Sequence, residues 1–497
     1  MKFFIVFLFC LLPAFAESPN VIVILADDMG SGDIQALNPE SKIPTPALDS
    51  MSSEGITFTD GHSNSAVCTP TRYGFITGRY CWRSRLKKGV LNGYSKHLID
   101  PDRFTIADVF KQKGYKTACI GKWHLGMDLP LENNKLVLSG KVENSPIVNG
   151  FDYFYGITAS LDFPPYVYIE NDKITAKEIV MKPSRSFPAY LRAGETGKNF
   201  SHEKSLDHLT EKVGKYIKER AQAKEKFFLY FPLTSPHKPT LPEERFRGKS
   251  GIGPYGDFII QTDWVVGQVL KFLKDNKIDD NTMLVYTSDN GSYMYRLDSP
   301  ECPTKLTSKK SKPEDGTDHK TDHTIQGYSS AIHRANGKLR GTKADIYEGG
   351  HRVPFLVRWP AKVKAGIKSS ETISIVDILA TCSEIVGQEI PKGMAEDSFS
   401  FLSLMEGKKT YVRPPVITHS ANGTFAIHSN GWKFIAGKGS GGRTMPRSRA
   451  FEKPYQLYNL KDDLGERKNL IESNPEKAQD LEKQLNAIIE SSSAYTK

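Results

Sequence analysis

Residues 20–26 read Asn-Val-Ile-Val-Ile-Leu-Ala. An unbroken β-branched run without polar alternation is what a central strand of a parallel sheet needs, because helices cover both of its faces. The run stops at Asp27-Asp28-Met29-Gly30. Ligands of open parallel sheets bind beyond the carboxyl ends of the strands. Two adjacent carboxylates there repel one another, and a cation between them is the natural partner. The plainer alternative is a pair of solvated turn carboxylates closed by Gly30. Two later runs repeat the pattern. Residues 226–231 lead into Pro232-Leu233-Thr234-Ser235-Pro236-His237-Lys238-Pro239, and residues 282–288 lead into Asp289-Asn290-Gly291. Asp289 and Asn290 add two hard oxygen ligands to Asp27 and Asp28. Such a set suits calcium, with magnesium as second choice.

The remaining elements fall into place around these strands. Helices are expected at 45–53 (capped by Thr45, with Pro46 at the first position), after Pro70, and at 105–113, 206–223, 257–274 and 376–386. Further strands are expected at 55–59, from Gly114 to Ile120, and at 355–359. With 497 residues the chain exceeds one ordinary core. The expectation is an α/β unit over 17–405, whose large, mostly parallel sheet is flanked by helices. A smaller C-terminal α+β unit over 406–497 follows, with short strands at 416–418, 424–428, 432–436 and 455–460 and a closing helix at 475–490. Hydrophobic residues at 38% and charged residues at 25% exclude a disordered or membrane-embedded chain.

Residues 1–16 carry Lys2, an apolar stretch from Phe3 to Leu12, and Ala14-Phe15-Ala16, the pattern of a cleaved export signal. No later run reaches the roughly 18 apolar residues of a membrane span. An exported protein, periplasmic or secreted, is expected. Its formal charge of +10, or +9 without Lys2, suits an anionic ligand but does not by itself separate a nucleic-acid binder from an enzyme. Cys81, Cys119, Cys302 and Cys382 are scattered, without the paired spacing of a zinc site, and an oxidising compartment would allow one or two disulfides among them. Lys309, Lys310, Lys312, His319 and His323 fall in a polar, aperiodic insertion, expected to be a loop over the site.

The chemistry concentrates in short motifs. Ser65-Ala66-Val67-Cys68-Thr69-Pro70-Thr71-Arg72 contains Cys-x-Pro-x-Arg; Gly121-Lys122-Trp123-His124 follows a strand; Ser235-Pro236-His237-Lys238-Pro239 follows another; Leu339-Arg340-Gly341-Thr342-Lys343 precedes Glu348 and Arg352. Lys122 and His124, two apart, would face the same way in an extended segment. The helix after Pro70 would present its N-terminus to an anion, with Arg72 one turn in. In order along the chain these motifs resemble those of the type I formylglycine-dependent sulfatases, and the resemblance covers nearly the whole mature chain.

That resemblance implies an alkaline-phosphatase-like fold and a sulfate monoester hydrolase. It implies that Cys68 is oxidised to formylglycine by a maturing enzyme and hydrated to a geminal diol. One hydroxyl attacks sulfur; deprotonating the other expels the sulfate, which a serine could not do. By the same resemblance, calcium is held by Asp27, Asp28, Asp289, Asn290 and modified Cys68. The metal and Arg72 stabilise the attacking alkoxide, with Asp289 as the candidate acceptor of its proton, and Lys122 and Lys343 neutralise the sulfate. His237 protonates the leaving alcohol, and His124 assists sulfate release. Glu348 and Arg352 look structural. A phosphate or phosphonate monoesterase of the same superfamily and a non-catalytic glycan-binding relative are the competing readings. A sulfated glycan is the expected substrate, with galactose or N-acetylgalactosamine 6-sulfate as the specific candidate; no nucleic acid is expected as partner. The segment Tyr80-Cys81-Trp82-Arg83-Ser84-Arg85 is either a subsite for a uronate or second sulfate, or a structural arginine pair.

Overall fold

The computed structural model describes residues 18–303, 326–408 and 411–491. The export-signal segment and the loop residues Lys309, Lys310, Lys312, His319 and His323 lie outside the described residues. The central sheet comprises β1 (Asn20–Asp27), β2 (Ile56–Phe58), β3 (Lys116–Lys122), β4 (Tyr153–Ile157), β5 (Ile169–Glu170), β6 (Lys173–Ile174), β7 (Phe227–Pro236), β8 (Thr282–Ser288), β9 (Phe355–Arg358) and β10 (Ile367–Ser369). Their spatial order is β10-β2-β9-β8-β1-β7-β3-β4-β5-β6. The middle five, β8-β1-β7-β3-β4, are parallel neighbours, whereas β9 runs antiparallel to β8 and β5 antiparallel to β4. All five carboxyl ends therefore open on one edge.

Every residue of β1 is buried, and the period-two geometry of a strand explains why the run had to be apolar throughout. Val21, Val23 and Leu25 pack one way, with Phe75, Ile76, Val109 and Ile378 from α2 (Cys68–Thr77), α3 (Ile106–Lys111) and α6 (Asp377–Val386). Ile22 and Ile24 pack the other way, with Leu48, Val213 and Val266 from α1 (Pro46–Glu54), α4 (Ser205–Ala223) and α5 (Pro254–Asp275). Each such side chain contributes about 1.5–3 kcal/mol on burial. The α2 helix opens at Cys68, two residues before Pro70. At its far end β1 slips register against β7, so that Leu25 pairs with Pro232 but Asp27 with Pro236. This bulge re-aims the chain where the chemistry begins.

The C-terminal sheet orders β11 (Val416–His419), β12 (Phe425–Ser429), β13 (Trp432–Ile435) and β14 (Gln456–Asn459) as antiparallel neighbours. The α7 helix (Pro475–Glu490) covers one face, with Leu481 and Leu485 against Ile427, Phe434 and Leu457. The other face packs Ala426, Ile435 and Tyr458 on Ile346 and Tyr347 of the large unit. Among the described residues no helix is long and apolar enough to cross a membrane. An oxidising compartment would allow disulfides, but Cys81, Cys119 and Cys382 are buried as free thiols, and Cys302 is buried as well. Burial as small apolar side chains accounts for them instead.

Candidate active site

The carboxyl ends of β1, β3, β7 and β8 and the N-terminus of α2 converge on one buried cluster. Asp28 leaves β1 with φ 71°, in the left-handed region that costs a non-glycine residue roughly 1 kcal/mol. Its N–H donates to Asp289 Oδ1 at 3.1 Å, which fixes the β1 and β8 ends together. Gly121, at φ 140°, lets β3 close on β7; a Cβ there would lie 2.0 Å from the Pro232 carbonyl oxygen. The next residue, Lys122, is fully buried and reaches Asp27 Oδ2 at 2.7 Å. Arg72, also fully buried, donates from Nε and Nη2 to Asp289 Oδ2 at 3.0 and 2.7 Å and from Nη1 to the Lys122 carbonyl at 3.1 Å.

Cys68 sits among these groups. Its Sγ is 3.6 Å from Asp27 Oδ1 and 3.4 Å from Lys343 Nζ, which itself lies 2.6 Å from Asp28 Oδ1. Lys343 is delivered by a turn whose Ala344 N–H bonds the Ala66 carbonyl at 2.7 Å, just ahead of Cys68. His237 Nδ1 donates to the Lys238 carbonyl, which leaves Nε2 facing Asp28 Oδ2 at 3.5 Å. His124 reaches the cluster differently from the expectation. Its φ of 59° breaks the extended geometry, so sharing a face with Lys122 is not what places it. Instead His124 Nε2 donates to the Leu91 carbonyl at 2.8 Å, and Nδ1 is left buried without a partner.

Charge balance explains the ionisation states. Burial opposes the ionised form of Asp27, but Lys122, His237 and Arg72 outweigh it and hold the carboxyl below its ordinary range. Burial likewise opposes Asp28, which Lys343 and His237 bring down. Lys343 is buried, which disfavours the ammonium, yet Asp28, Cys68 and Asp27 together raise its pKa. Burial, with Lys122 and Arg72, holds His124 well below the usual imidazole range, so it stays neutral. Burial first, then Asp289, pushes the Cys68 thiol far up, so an unmodified cysteine would not ionise here.

The donor set fits a hard cation. Ligand atoms of Asp27, Asp28, Cys68 and His237 all lie within 4.8 Å of one another. Asp28 Oδ2 and Asn290 Oδ1 are buried oxygens with no donor among the described residues, while Asn290 Nδ2 donates to Asp28 Oδ1 at 2.6 Å. Buried acceptors left open are costly unless a ligand satisfies them. Three carboxylates face Arg72, Lys122 and Lys343, so a divalent ion would turn a formally neutral cluster positive and receptive to an anion.

Arg83 pairs with Asp397 at 3.1 Å and donates to the Ser491 carbonyl, and Arg85 donates to the Lys96 and His97 carbonyls at 2.7 and 2.9 Å. These bonds favour the structural arginine pair of the two readings. One feature was not foreseen. The loop after β4 brings buried Thr158, Ser160 and Asp162 to the same edge, each with an unpartnered oxygen. The strand-end rule applied to Tyr153–Ile157 would have found them.

A buried carboxylate–cation cluster at the carboxyl edge of a mostly parallel sheet, with a cysteine at a helix N-terminus, is the arrangement the resemblance to alkaline-phosphatase-like hydrolases implied. The sequence model of the sulfatase family matches residues 19–388, and that of the N-sulphoglucosamine sulphohydrolase C-terminal region matches residues 342–494. The chain is 31% identical to an N-acetylgalactosamine-6-O-sulfatase of Bacteroides thetaiotaomicron, over 95% of this chain and 93% of that protein. It is 27% identical to the human N-acetylgalactosamine-6-sulfatase, over 91% of this chain and 81% of that one. A solved 6S-sulfatase structure, from work on glycosaminoglycan metabolism by Bacteroides thetaiotaomicron, superposes with a TM-score of 0.81 at 30% identity, covering 96% of this chain and all of that one. The chain belongs to the sulfatase family. It is a sulfuric ester hydrolase.

Proposed function

We propose that this enzyme removes a sulfate monoester from a sulfated carbohydrate, with 6-sulfated N-acetylgalactosamine or galactose as substrate. Cys68 acts as formylglycine, installed by a sulfatase-maturing enzyme, and the protein is exported to the periplasm or secreted. The observation that carries the nucleophile is its surroundings. Cys68 Sγ lies 3.6 Å from Asp27 Oδ1 and 3.4 Å from Lys343 Nζ, at the N-terminus of α2. A hydrated aldehyde at the same position would lie beside Lys343 and Asp27 and supply both attack and release.

Asp27, Asp28, Asp289, Asn290 and modified Cys68 would hold calcium, which supplies Lewis-acid polarisation of the sulfate and a lowered pKa for the nucleophile. Lys122 and Lys343 bind the sulfate oxygens as negative charge moves onto them. Arg72, locked to Asp289, keeps the α2 N-terminus and its nucleophile in register with the β8 end. Nδ1–H of His237 is committed to the Lys238 carbonyl, so Nε2 must first take up a proton from water. Burial and Lys343 oppose that uptake, while Asp28 and Asp27 favour it. That proton then goes to the departing sugar oxygen. His124, neutral and with Nδ1 open, takes the proton from the second hydroxyl of the nucleophile when sulfate leaves. The relatives named for N-acetylgalactosamine 6-sulfate support the choice of sugar.

The test is a panel of sulfated mono- and oligosaccharides assayed beside the phosphate ester of one of the same alcohols. Turnover of a 6-sulfated galacto-configured sugar is the expected result. A strong preference for the phosphate would overturn the reading.

A further inference from the structure

We propose that Asp162 and Arg192 form the subsite that reads a free hydroxyl on the sulfated sugar, beside the ester being cleaved; the inference rests on the carbohydrate-sulfatase reading above. Asp162 is 2% exposed, yet its Oδ1 has no hydrogen-bond partner. That oxygen lies 3.9 Å from Nδ1 of His237, on the far side of the ring from Asp28. Its other oxygen, Oδ2, takes Arg192 Nη1 at 2.6 Å. Arg192 is 42% exposed along its side chain, and its guanidinium lies 3.9 Å over the ring of Phe163. Phe163 in turn sits 6.1 Å from the ring of His124. The pair thus stands between the two histidines, at the mouth of the cluster.

The chemistry of the pair selects the ligand. A carboxylate bonded to a guanidinium carries no net charge, so neither a second sulfate nor a further metal ion gains from replacing water there. It presents an open acceptor beside outward N–H donors. A hydroxyl, which donates once and accepts as well, satisfies both at once. The geometry is set before binding. The Tyr166 hydroxyl donates to the Asp162 and Arg192 carbonyls at 3.2 and 2.7 Å, and Arg192 Nη1 also reaches the Asp162 carbonyl at 3.1 Å. A preformed pair avoids an ordering cost on binding. With a 6-sulfate in the cluster, the nearest ring hydroxyl is the one on C4.

The experiment is a cycle between residue and hydroxyl. Wild type and Asp162→Asn are assayed on 6-sulfated N-acetylgalactosamine and its 4-deoxy analogue, with 4-nitrophenyl sulfate as an independent sulfate ester. Asn keeps its amide oxygen for Arg192 and turns a donor toward the sugar, so the hydroxyl can only accept there and the charge-assisted bond is replaced by a neutral one. Removing the hydroxyl should lower wild-type kcat/KM by about tenfold to a hundredfold, the loss of one charge-assisted hydrogen bond. In Asp162→Asn the same removal should cost several-fold less than in wild type, because only a neutral hydrogen bond remains to be lost. Arg192→Gln, run through the same cycle, keeps the test decisive if Asp162→Asn does not fold. Equal losses in wild type and variant would overturn the subsite, as would a wild type indifferent to the hydroxyl. A wild type that cleaves neither the sulfated sugar nor 4-nitrophenyl sulfate would overturn the underlying reading instead.

Discussion

Among the described residues two buried clusters bring four potential metal ligands together, and they differ in what fills them. Ligand atoms of His62, Glu348, His351 and His428 lie within 4.8 Å of each other, just as those of Asp27, Asp28, Cys68 and His237 do. By residue type the histidine-rich cluster looks the better transition-metal site. Yet the fully buried ammonium of Lys433 occupies it, 3.0 Å from Glu348 Oε1, 2.8 Å from Glu466 Oε1 and 3.1 Å from His351 Nε2. The ammonium donates to Glu348 and is ion-paired with Glu466, while His351 Nε2 donates to the Ile346 carbonyl at 2.9 Å. His62 then bridges His351 at 3.0 Å and Asp60 at 3.0 Å. Burial disfavours the Glu348 carboxylate, but Lys433 and the three histidines hold its pKa well below the ordinary value. This cluster ties β12 and β13 to the large unit and is closed by its own cation. The sheet edge leaves Asp28 Oδ2, Asn290 Oδ1 and His124 Nδ1 without partners, and the histidine cluster leaves His428 Nδ1 without one. A resident ammonium in one cluster, against open carboxylate and amide oxygens in the other, distinguishes the two.

The sharpest way to break that contrast is to remove the nucleophile. Cys68→Ala should reduce turnover by about five to six orders of magnitude, as nucleophile deletions do. Its thermal midpoint should stay close to wild type, since Cys68 closes no network. Cys68→Ser should be nearly as inactive and should accumulate sulfated protein by intact mass. Repeated turnover by the serine variant would sink the geminal-diol account. Chelation comes next. It should cost activity by about three orders of magnitude, several kcal/mol of transition-state stabilisation, and calcium should restore it. Restoration by zinc alone would show that the oxygens of Asp27, Asp28, Asp289 and Asn290 are not the ligands.

The sheet was legible because β1, β7 and β8 are buried on both faces, which forces apolar runs that no amphipathic pattern can imitate. The acidic pairs were legible for the same reason: they begin where those runs stop. His124 was harder. A residue two positions past a strand end was assigned strand geometry, but φ turns positive there, and a contact with the Leu91 carbonyl places the ring. Asp162 was missed because β4 is short and rich in aromatics, so its end gave no clear edge. Lys433 was unreadable in sequence. It sits inside an otherwise apolar strand, and its partners Glu348 and Glu466 approach only when β13 docks on the large unit.

Lys433→Met tests the closed cluster directly. It leaves Glu348 and Glu466 buried without their cation, which should cost about 3–5 kcal/mol. That is two to three and a half decades in the folding equilibrium, read by chemical denaturation. The residual folded enzyme should keep wild-type KM. Unchanged stability would mean that the network is not a clamp, and the contrast between the clusters would lose its energetic content.

The smallest effect separates the two histidines of the open cluster, whose free nitrogens point to different protons. His237 presents Nε2 on the side of Asp28, while His124 holds Nδ1 open and Nε2 tied to Leu91. A sugar alkoxide needs a proton as the S–O bond breaks, whereas nitrophenolate leaves largely unaided. His237→Ala should therefore depress sugar-sulfate hydrolysis about a hundredfold and aryl-sulfate hydrolysis far less. His124→Ala should slow both substrates alike, because release of sulfate from the protein no longer involves the departed alcohol. It should also give a burst of alcohol followed by a slow phase. Pre-steady-state kinetics of both variants on both substrates, at saturating calcium, decides the matter. A burst in His237→Ala would reverse the two roles. If neither variant discriminates between the substrates, proton transfer is shared, and the open nitrogens are not specialised in the way their different partners imply.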